Sequence, residues 1–279
     1  MKTKILISIL VGLLIVSVVS ASIIIPGDEK GREKGRGPEN APVIERIDDH
    51  WILKPSGLER LVFIHYARPG GKPDKPGKPP KEAECYGFLG AKWKNLEENP
   101  VSYVVDPRFS GLSVDSVAAA AFLGAEEWDD WTGAELFDDG SPSIVDDGSW
   151  DTDSPDGRNE LVFANYDQDG VIAVTLIWGY FRGRPSDRRI IEFDILFDTD
   201  YTWGDAGDTD EENVGDTNVM DLQNIATHEL GHGVGLDDVY EDACSEVTMY
   251  GYSEEGETKK RTLDGPDITA IQELYGGLE

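Results

Sequence analysis

An α+β fold is predicted for the 279-residue chain from three observations. Strand-like segments follow one another between residues 160 and 197, an Ala-rich helical segment precedes them, and two helical segments follow. Strands and helices come in blocks rather than in alternation, so the helices are expected to be segregated against a sheet. The length suits one full domain with a deep core and a smaller appendage.

In order along the chain, residues 1–21 read as an export signal. Lys2 and Lys4 give a basic start, Ile5 to Val19 is almost wholly apolar, and Val19-Ser20-Ala21 resembles a small-residue cleavage site, so the mature chain begins at Ser22. The competing reading is an uncleaved membrane anchor, because apolar character continues through Ile25 and reaches about 21 residues, enough to span a bilayer. Under either reading the remainder lies outside the cytoplasm, secreted or on the extracellular face. Residues 22–82 form an N-terminal segment, a candidate pro-region: GDEKGREKGRGPEN has too few apolar residues to fold alone. Trp51 to Tyr66, with LERLVFIHY, is apolar enough for a strand or an ordered pro-segment, and the five prolines between Arg68 and Glu82 mark an extended linker. A boundary is therefore placed near residue 82, with the principal domain at 83–279.

That domain opens with VSYVVD (Val101 to Asp106), whose β-branched and aromatic content suits a strand. A helix is predicted from about Val114 to Trp131, with Ser113 as N-cap and Ala118, Ala121, Phe122, Ala125 and Trp128 forming an apolar stripe. Strands follow at Glu160–Asp167, Gly170–Tyr180 and Arg189–Phe197, then helices at about Val219–Val234 and Pro266–Tyr275, the last with proline in its first turn and Gly276 just beyond its end. No internal repeat or coiled-coil heptad is present.

Charge is unevenly placed. Ser22 to Glu82 holds 12 basic and 10 acidic residues, whereas Ala83 onward holds 11 basic and 45 acidic, a net of −34. Such a field argues against nucleic acid or anionic membrane as partners, because like charges repel. Hard cations are its natural partners, and a solvated coat keeping an extracellular protein soluble accounts for the same carboxylates. Membrane anchoring is expected only through the N-terminus, and the expected state is a monomer.

Cys85 and Cys244 are the only cysteines. In an oxidising compartment an even pair suggests a disulfide, which across so long a loop stabilises by about 4–5 kcal/mol in the chain-entropy model. The alternative is a Cys85 thiolate that occupies a metal and keeps an enzyme latent.

The most informative segment is ATHELGHGVGLDDVY, Ala226 to Tyr240. At 3.6 residues per turn His228 and His232 lie on one helical face, so both imidazoles can reach one zinc ion. Glu229, beside the first histidine, can point at a metal-bound water without binding metal itself, as a general base must. Zinc lowers that water's pKa toward about 7, and the carboxylate takes its proton as it attacks a carbonyl. Gly235 falls where a left-handed residue can end the helix and turn the chain back, which brings Asp237 or Asp238 within reach as a third ligand.

The spacing His228-Glu229-x-x-His232-x-x-Gly235-x-x-Asp238 resembles the extended zinc motif of the metzincins, with aspartate where most have histidine. Small bacterial proteases of the snapalysin type look alike at that position, and the register makes Asp238 the ligand in preference to Asp237. Met249 in EVTMYGYS looks like the metzincin Met-turn, and LDGPDITAIQELYG (Leu263 to Gly276) is similar to the end of matrixin catalytic domains. Weaker similarity runs upstream through YVVD, the helix ending in Trp128 and Trp131, and EFDILFDTDYTW, so that it spans about Cys85 to the C-terminus.

The resemblance implies a twisted mixed sheet with an active-site helix, a packing helix and a C-terminal helix. It also implies a zinc endopeptidase that hydrolyses polypeptides through a water activated by Glu229. An extended substrate would pair with an edge strand, about Ile172 to Trp178 and including Ile172, Ala173 and Val174. The pocket wall would come from Tyr250 to Ser253, where Tyr250 or Tyr252 either stabilises the oxyanion or simply packs. The reading from another class is a catalytically silent zinc- or calcium-binding protein of the same fold. Two departures stand out: His50 and His65, the only other histidines, precede the domain, so no second zinc is expected, and the matrixin cysteine switch P-R-C-G-x-P-D is missing. Calcium is expected as well, because matrixins bind it and because DTDSPDG (Asp151 to Gly157), DQDG (Asp167 to Gly170) and DTDYTWGDAGDTDEEN (Asp198 to Asn213) set carboxylates on Gly-containing loops.

Overall fold

The computed structural model describes residues 38, 40–47, 50–68, 85–207 and 216–278. The signal segment, the Gly- and Lys-rich stretch to residue 37, most of the Pro-rich linker and residues 208–215 of the last acidic cluster lie outside them.

Two short strands, β1 (Val43–Ile44) and β2 (Trp51–Leu53), lead into β3 (Glu59–Ala67), which is formed by the apolar run LERLVFIHY. After the linker come β4 (Gly87–Phe88), β5 (Val104–Val105) and helix α1 (Val114–Asp129). Ser113 caps α1 by accepting from Ser116 N, and the buried Val117, Ala121, Ala125 and Trp128 form its apolar stripe. The helix stops two residues short of Trp131. The Asp129 carboxylate accepts the backbone N–H groups of Leu136 and Phe137, which turns the chain away.

Next are β6 (Ser143–Ile144), β7 (Glu160–Tyr166), β8 (Val171–Tyr180) and β9 (Arg189–Asp198). The expected strand Val101–Asp106 shortens to β5, because Val101 bridges to Phe137 and Tyr103 N donates to Ser141 Oγ instead of joining the ladder. Then β10 (Trp203–Gly204) pairs in parallel with β11 (Met220–Asp221), and α2 spans Leu222–Gly233. The expected start at Val219 is corrected to Leu222: Asp221 is the N-cap, its carboxylate accepting from Asn224 N at 2.8 Å. Strands β12 (Leu236–Asp237) and β13 (Tyr252–Ser253) precede α3 (Gly265–Tyr275), which opens with an Asp264–Asp267 capping box and ends at Gly276, φ 92°.

The main sheet runs β13-β3-β8-β9-β7-β5-β6. It is mixed: β8 is antiparallel to both β3 and β9, while β9, β7, β5 and β6 pair in parallel. One face carries the principal core with α1, α2 and α3, built on Trp128, Phe137, Phe193, Ile225 and Ile271. Val62, Ile64, Val174, Leu176 and Leu196 cover the other face, joined by Ile44 and Ile47.

Segments on both sides of residue 82 thus share one sheet, because β3 carries apolar side chains on both faces and completes both cores. The strand expected to be an edge, Ile172 to Trp178, is corrected to an interior one, hydrogen-bonded to β3 on one side and β9 on the other. Among the described residues no helix is long and apolar enough to cross a membrane.

Candidate metal centre

Helix α2 is buried almost throughout, and its packing sets both histidines. Trp128 Nε1 donates to Thr227 O at 2.8 Å, which locks α1 against α2. A Cβ on Gly231 would lie 2.4 Å from Met249 Sδ and 2.6 Å from Trp128, so only glycine lets the Met249 turn approach this closely. That turn is held from α3, where the Asp267 carboxylate accepts Thr248 N at 2.8 Å and Met249 N at 3.2 Å.

His228 Nδ1 lies 2.7 Å from Thr248 O and His232 Nδ1 lies 2.9 Å from Leu236 O. A carbonyl can only accept, so each Nδ1 carries the proton, and in the neutral ring each Nε2 presents a lone pair. Both lone pairs face Asp238 Oδ1, at 3.2 Å from His228 and 3.6 Å from His232. Burial, reinforced by the charge of Lys260, lowers His228 to about 4, so at neutral pH its Nε2 has no proton to donate. Burial pushes the Asp238 carboxyl up, but His232, His228 and the Tyr240 hydroxyl more than offset this and hold it at about 2. Three acceptor atoms therefore converge with no hydrogen-bond donor among them.

Such a set calls for a cation. Tetrahedral zinc, with bonds of about 2.0–2.2 Å, keeps neighbouring ligand atoms about 3.3–3.5 Å apart, close to the observed 3.2 and 3.6 Å. His228, His232 and Asp238 form a group able to hold a metal ion. Gly235, φ 110°, makes the turn that returns the chain. Asp237 is not in the group; its Oδ1 accepts from Asp238 N at 2.9 Å.

Glu229 is fully buried beside this group. Its Oε2 accepts from Thr175 Oγ1 at 2.6 Å, and its Oε1 has no hydrogen-bond partner among the described residues. Burial raises its carboxyl to about 7, against the opposing pull of His232 and the Thr175 hydroxyl. A carboxylate that titrates near neutrality with one oxygen anchored and the other free suits a proton acceptor.

Of the expected cleft residues, Ile172 and Ala173 lie in the principal core and Val174 in the outer one. Tyr250 is buried, its carbonyl accepting from Lys260 Nζ, and Tyr252 sits in β13 with its ring edge-on to Tyr240 and Tyr250. Cys85 and Cys244 are joined, with Sγ atoms 1.99 Å apart, so the Cys85 sulfur is not free to meet a metal.

Several residues at the centre carry no signal in the motif. Tyr240 donates to Asp238 Oδ2 at 2.9 Å. Lys260 is fully buried, and burial lowers it to about 8 despite Glu257, Asp238 and Glu229. His65 and Phe63 arrive from β3. Thr175 had a usable signal, since it lies two residues from Ala173 and so on the same face of the strand.

A second group able to hold a metal ion comprises Asp151, Asp156 and Glu192. The backbone N–H groups of Asp156 and Gly157 donate to Glu192, and that of Asp151 donates to Asp194. Of the three acidic clusters expected to bind calcium, only DTDSPDG supplies residues to it.

Residues 179–276 match the matrixin family. No curated protein matches the chain. The matched stretch contains β9, α2, the Gly235 turn, Asp238, Met249 and α3, which together form one side of the metal-facing group. Over those residues the chain is therefore similar to the matrixins, a family of the metallopeptidase type.

Proposed function

We propose that the protein is a secreted zinc-dependent endopeptidase. The observation that carries this reading is the convergence of His228 Nε2, His232 Nε2 and Asp238 Oδ1, three buried acceptors without a donor, beside the half-anchored carboxylate of Glu229. Zinc held by these three residues would supply Lewis-acid polarisation of the scissile carbonyl and of the attacking water. Glu229 Oε1 takes the water's proton and passes it to the leaving amine, while Thr175 keeps Oε2 in place. Once β3 has left β8, main-chain pairing along that strand would hold an extended polypeptide with little demand for one sequence. Export through residues 1–21 places the activity outside the cytoplasm.

The test is cleavage of unfolded casein by the chain from Ser22, before and after a cut introduced between residues 69 and 82, with and without a zinc chelator. Chelator-sensitive activity that disappears in Glu229→Gln, with zinc content unchanged, is the expected result. A zinc-loaded, cut chain that leaves casein intact would overturn the reading in favour of a silent binding protein.

We also propose calcium as the ion for Asp151, Asp156, Glu192 and the adjoining Asp194. Asp194 Oδ1 and Asp151 Oδ2 are buried without a hydrogen-bond partner, and a hard cation favours oxygen ligands of this kind.

A further inference from the structure

Strand β3 occupies the path along which an extended substrate would lie. It runs antiparallel to β8 from Glu59↔Gly179 to Tyr66↔Val171, and on its other side it pairs in parallel with β13 through Tyr252↔Tyr66 and Ser253↔Ala67. Both segments expected to grip substrate therefore grip a piece of the same chain.

Strand alternation turns Phe63 and His65 to the face that meets α2. The Phe63 ring stacks on His232 with centroids 4.2 Å apart and planes 17° from parallel. The His65 ring meets His228 edge-on at 4.1 Å, and its Nδ1 is 3.8 Å from Glu229 Oε1, too far for a hydrogen bond. His65 is 1% exposed, and neither of its ring nitrogens has a hydrogen-bond partner among the described residues. A buried imidazole with both nitrogens unsatisfied is costly, and a bond to a metal held at the neighbouring His228 would satisfy one of them. His65, His228 and Glu229 offer ligand atoms that all lie within 4.8 Å of one another.

We propose that His65 is an in-chain ligand of the metal held by His228, His232 and Asp238, presented on a strand lying in the substrate's place, so that the folded chain is latent until β3 leaves. This rests on the metallopeptidase reading above. The strand is fastened on its far face too, where Val62 and Ile64 pack with Val174 and Leu176. A free peptide competing for β8 must also overcome the effective concentration that belonging to the same chain gives β3. Phe63 adds a steric block by covering the His232 ring.

The experiment is cobalt(II) substitution of the full chain, compared with His65→Ala and His65→Gln, the second keeping bulk and polarity in case the first fails to fold. Visible spectra are recorded with and without acetohydroxamate, and zinc release to a chelator is timed. Expected are a wild-type spectrum indifferent to acetohydroxamate, shifted bands that respond to it in both variants, and zinc release faster by roughly tenfold or more. Superimposable spectra and equal release rates in all three chains would overturn the proposal while leaving the metal centre intact. Failure of every chain to take up metal would overturn both this proposal and the metallopeptidase reading.

Discussion

The Thr175 hydroxyl on β8 donates to Oε2 of Glu229 on α2 at 2.6 Å, a bond between residues 54 apart in sequence. It ties the strand expected to hold substrate to the carboxylate expected to move the proton.

Removing that hydroxyl is therefore predicted to affect turnover more than binding. Because the bond lowers the Glu229 pKa, Thr175→Val should raise it, and a base that must be ionised is then switched off sooner as the solution is acidified. In the cut chain we expect kcat to fall by about tenfold, the acid limb of the kcat/KM profile to move upward, and KM and zinc content to hold. Thr175→Ser should restore the profile. An unmoved acid limb in Thr175→Val would remove the positioning role.

Gly231→Ala should destabilise the domain by about 1–3 kcal/mol through overpacking against Met249 and Trp128. Gly265→Ala, where an added Cβ meets nothing within 4 Å, is the control and should leave the unfolding midpoint nearly unchanged. Thermal unfolding of the two variants side by side checks the difference, and equal midpoints would contradict the close packing.

The buried carboxylates near β9 make stability depend on pH. Burial raises Glu192 to about 7 and pushes Asp194 well up, so the native state binds more protons than the unfolded chain. Stability contributed by Glu192 is complete below its unfolded value of about 4.5 and is lost as pH rises through about 7. In calcium-free buffer the midpoint of wild type should therefore fall relative to Glu192→Gln between pH 5 and pH 8. Millimolar calcium at pH 8 should recover the wild type and not the variant. A wild type indifferent to calcium would refute the ion assignment.

Replacing both Cys85 and Cys244 by serine should cost about 2–5 kcal/mol, read as a lower unfolding midpoint that reductant no longer shifts. The loss should be felt first around Val239, Val247 and Tyr250, which pack with Cys244. Hydrogen exchange confined to some other region would place the bridge's role elsewhere.

Local chemistry made much of the fold legible. Ser113 announces α1, Pro266 and Gly276 bracket α3, and the β-branched run of β8 stands out against its acidic neighbours. The i, i+4 histidines and Gly235 likewise mark the metal-facing turn, because helix period and left-handed backbone depend on neighbouring residues alone. The residues that close the site were hidden for the opposite reason. His65 pairs across to Ala173, Lys260 sits in a basic run resembling a solvated surface, and Asp267 serves a turn 18 residues earlier in the chain. None of those partnerships has a periodicity, so each becomes visible only once the chain is folded.

Strand β3 has one more effect. Without it β8, ten residues long and buried over nine of them, would present unpaired backbone and apolar side chains along an open border. A border of that kind recruits strands from neighbouring molecules. While β3 stays docked it shields the protein from aggregating with its own copies. An event that bared β8 would therefore also make the molecule adhesive toward other extended chains.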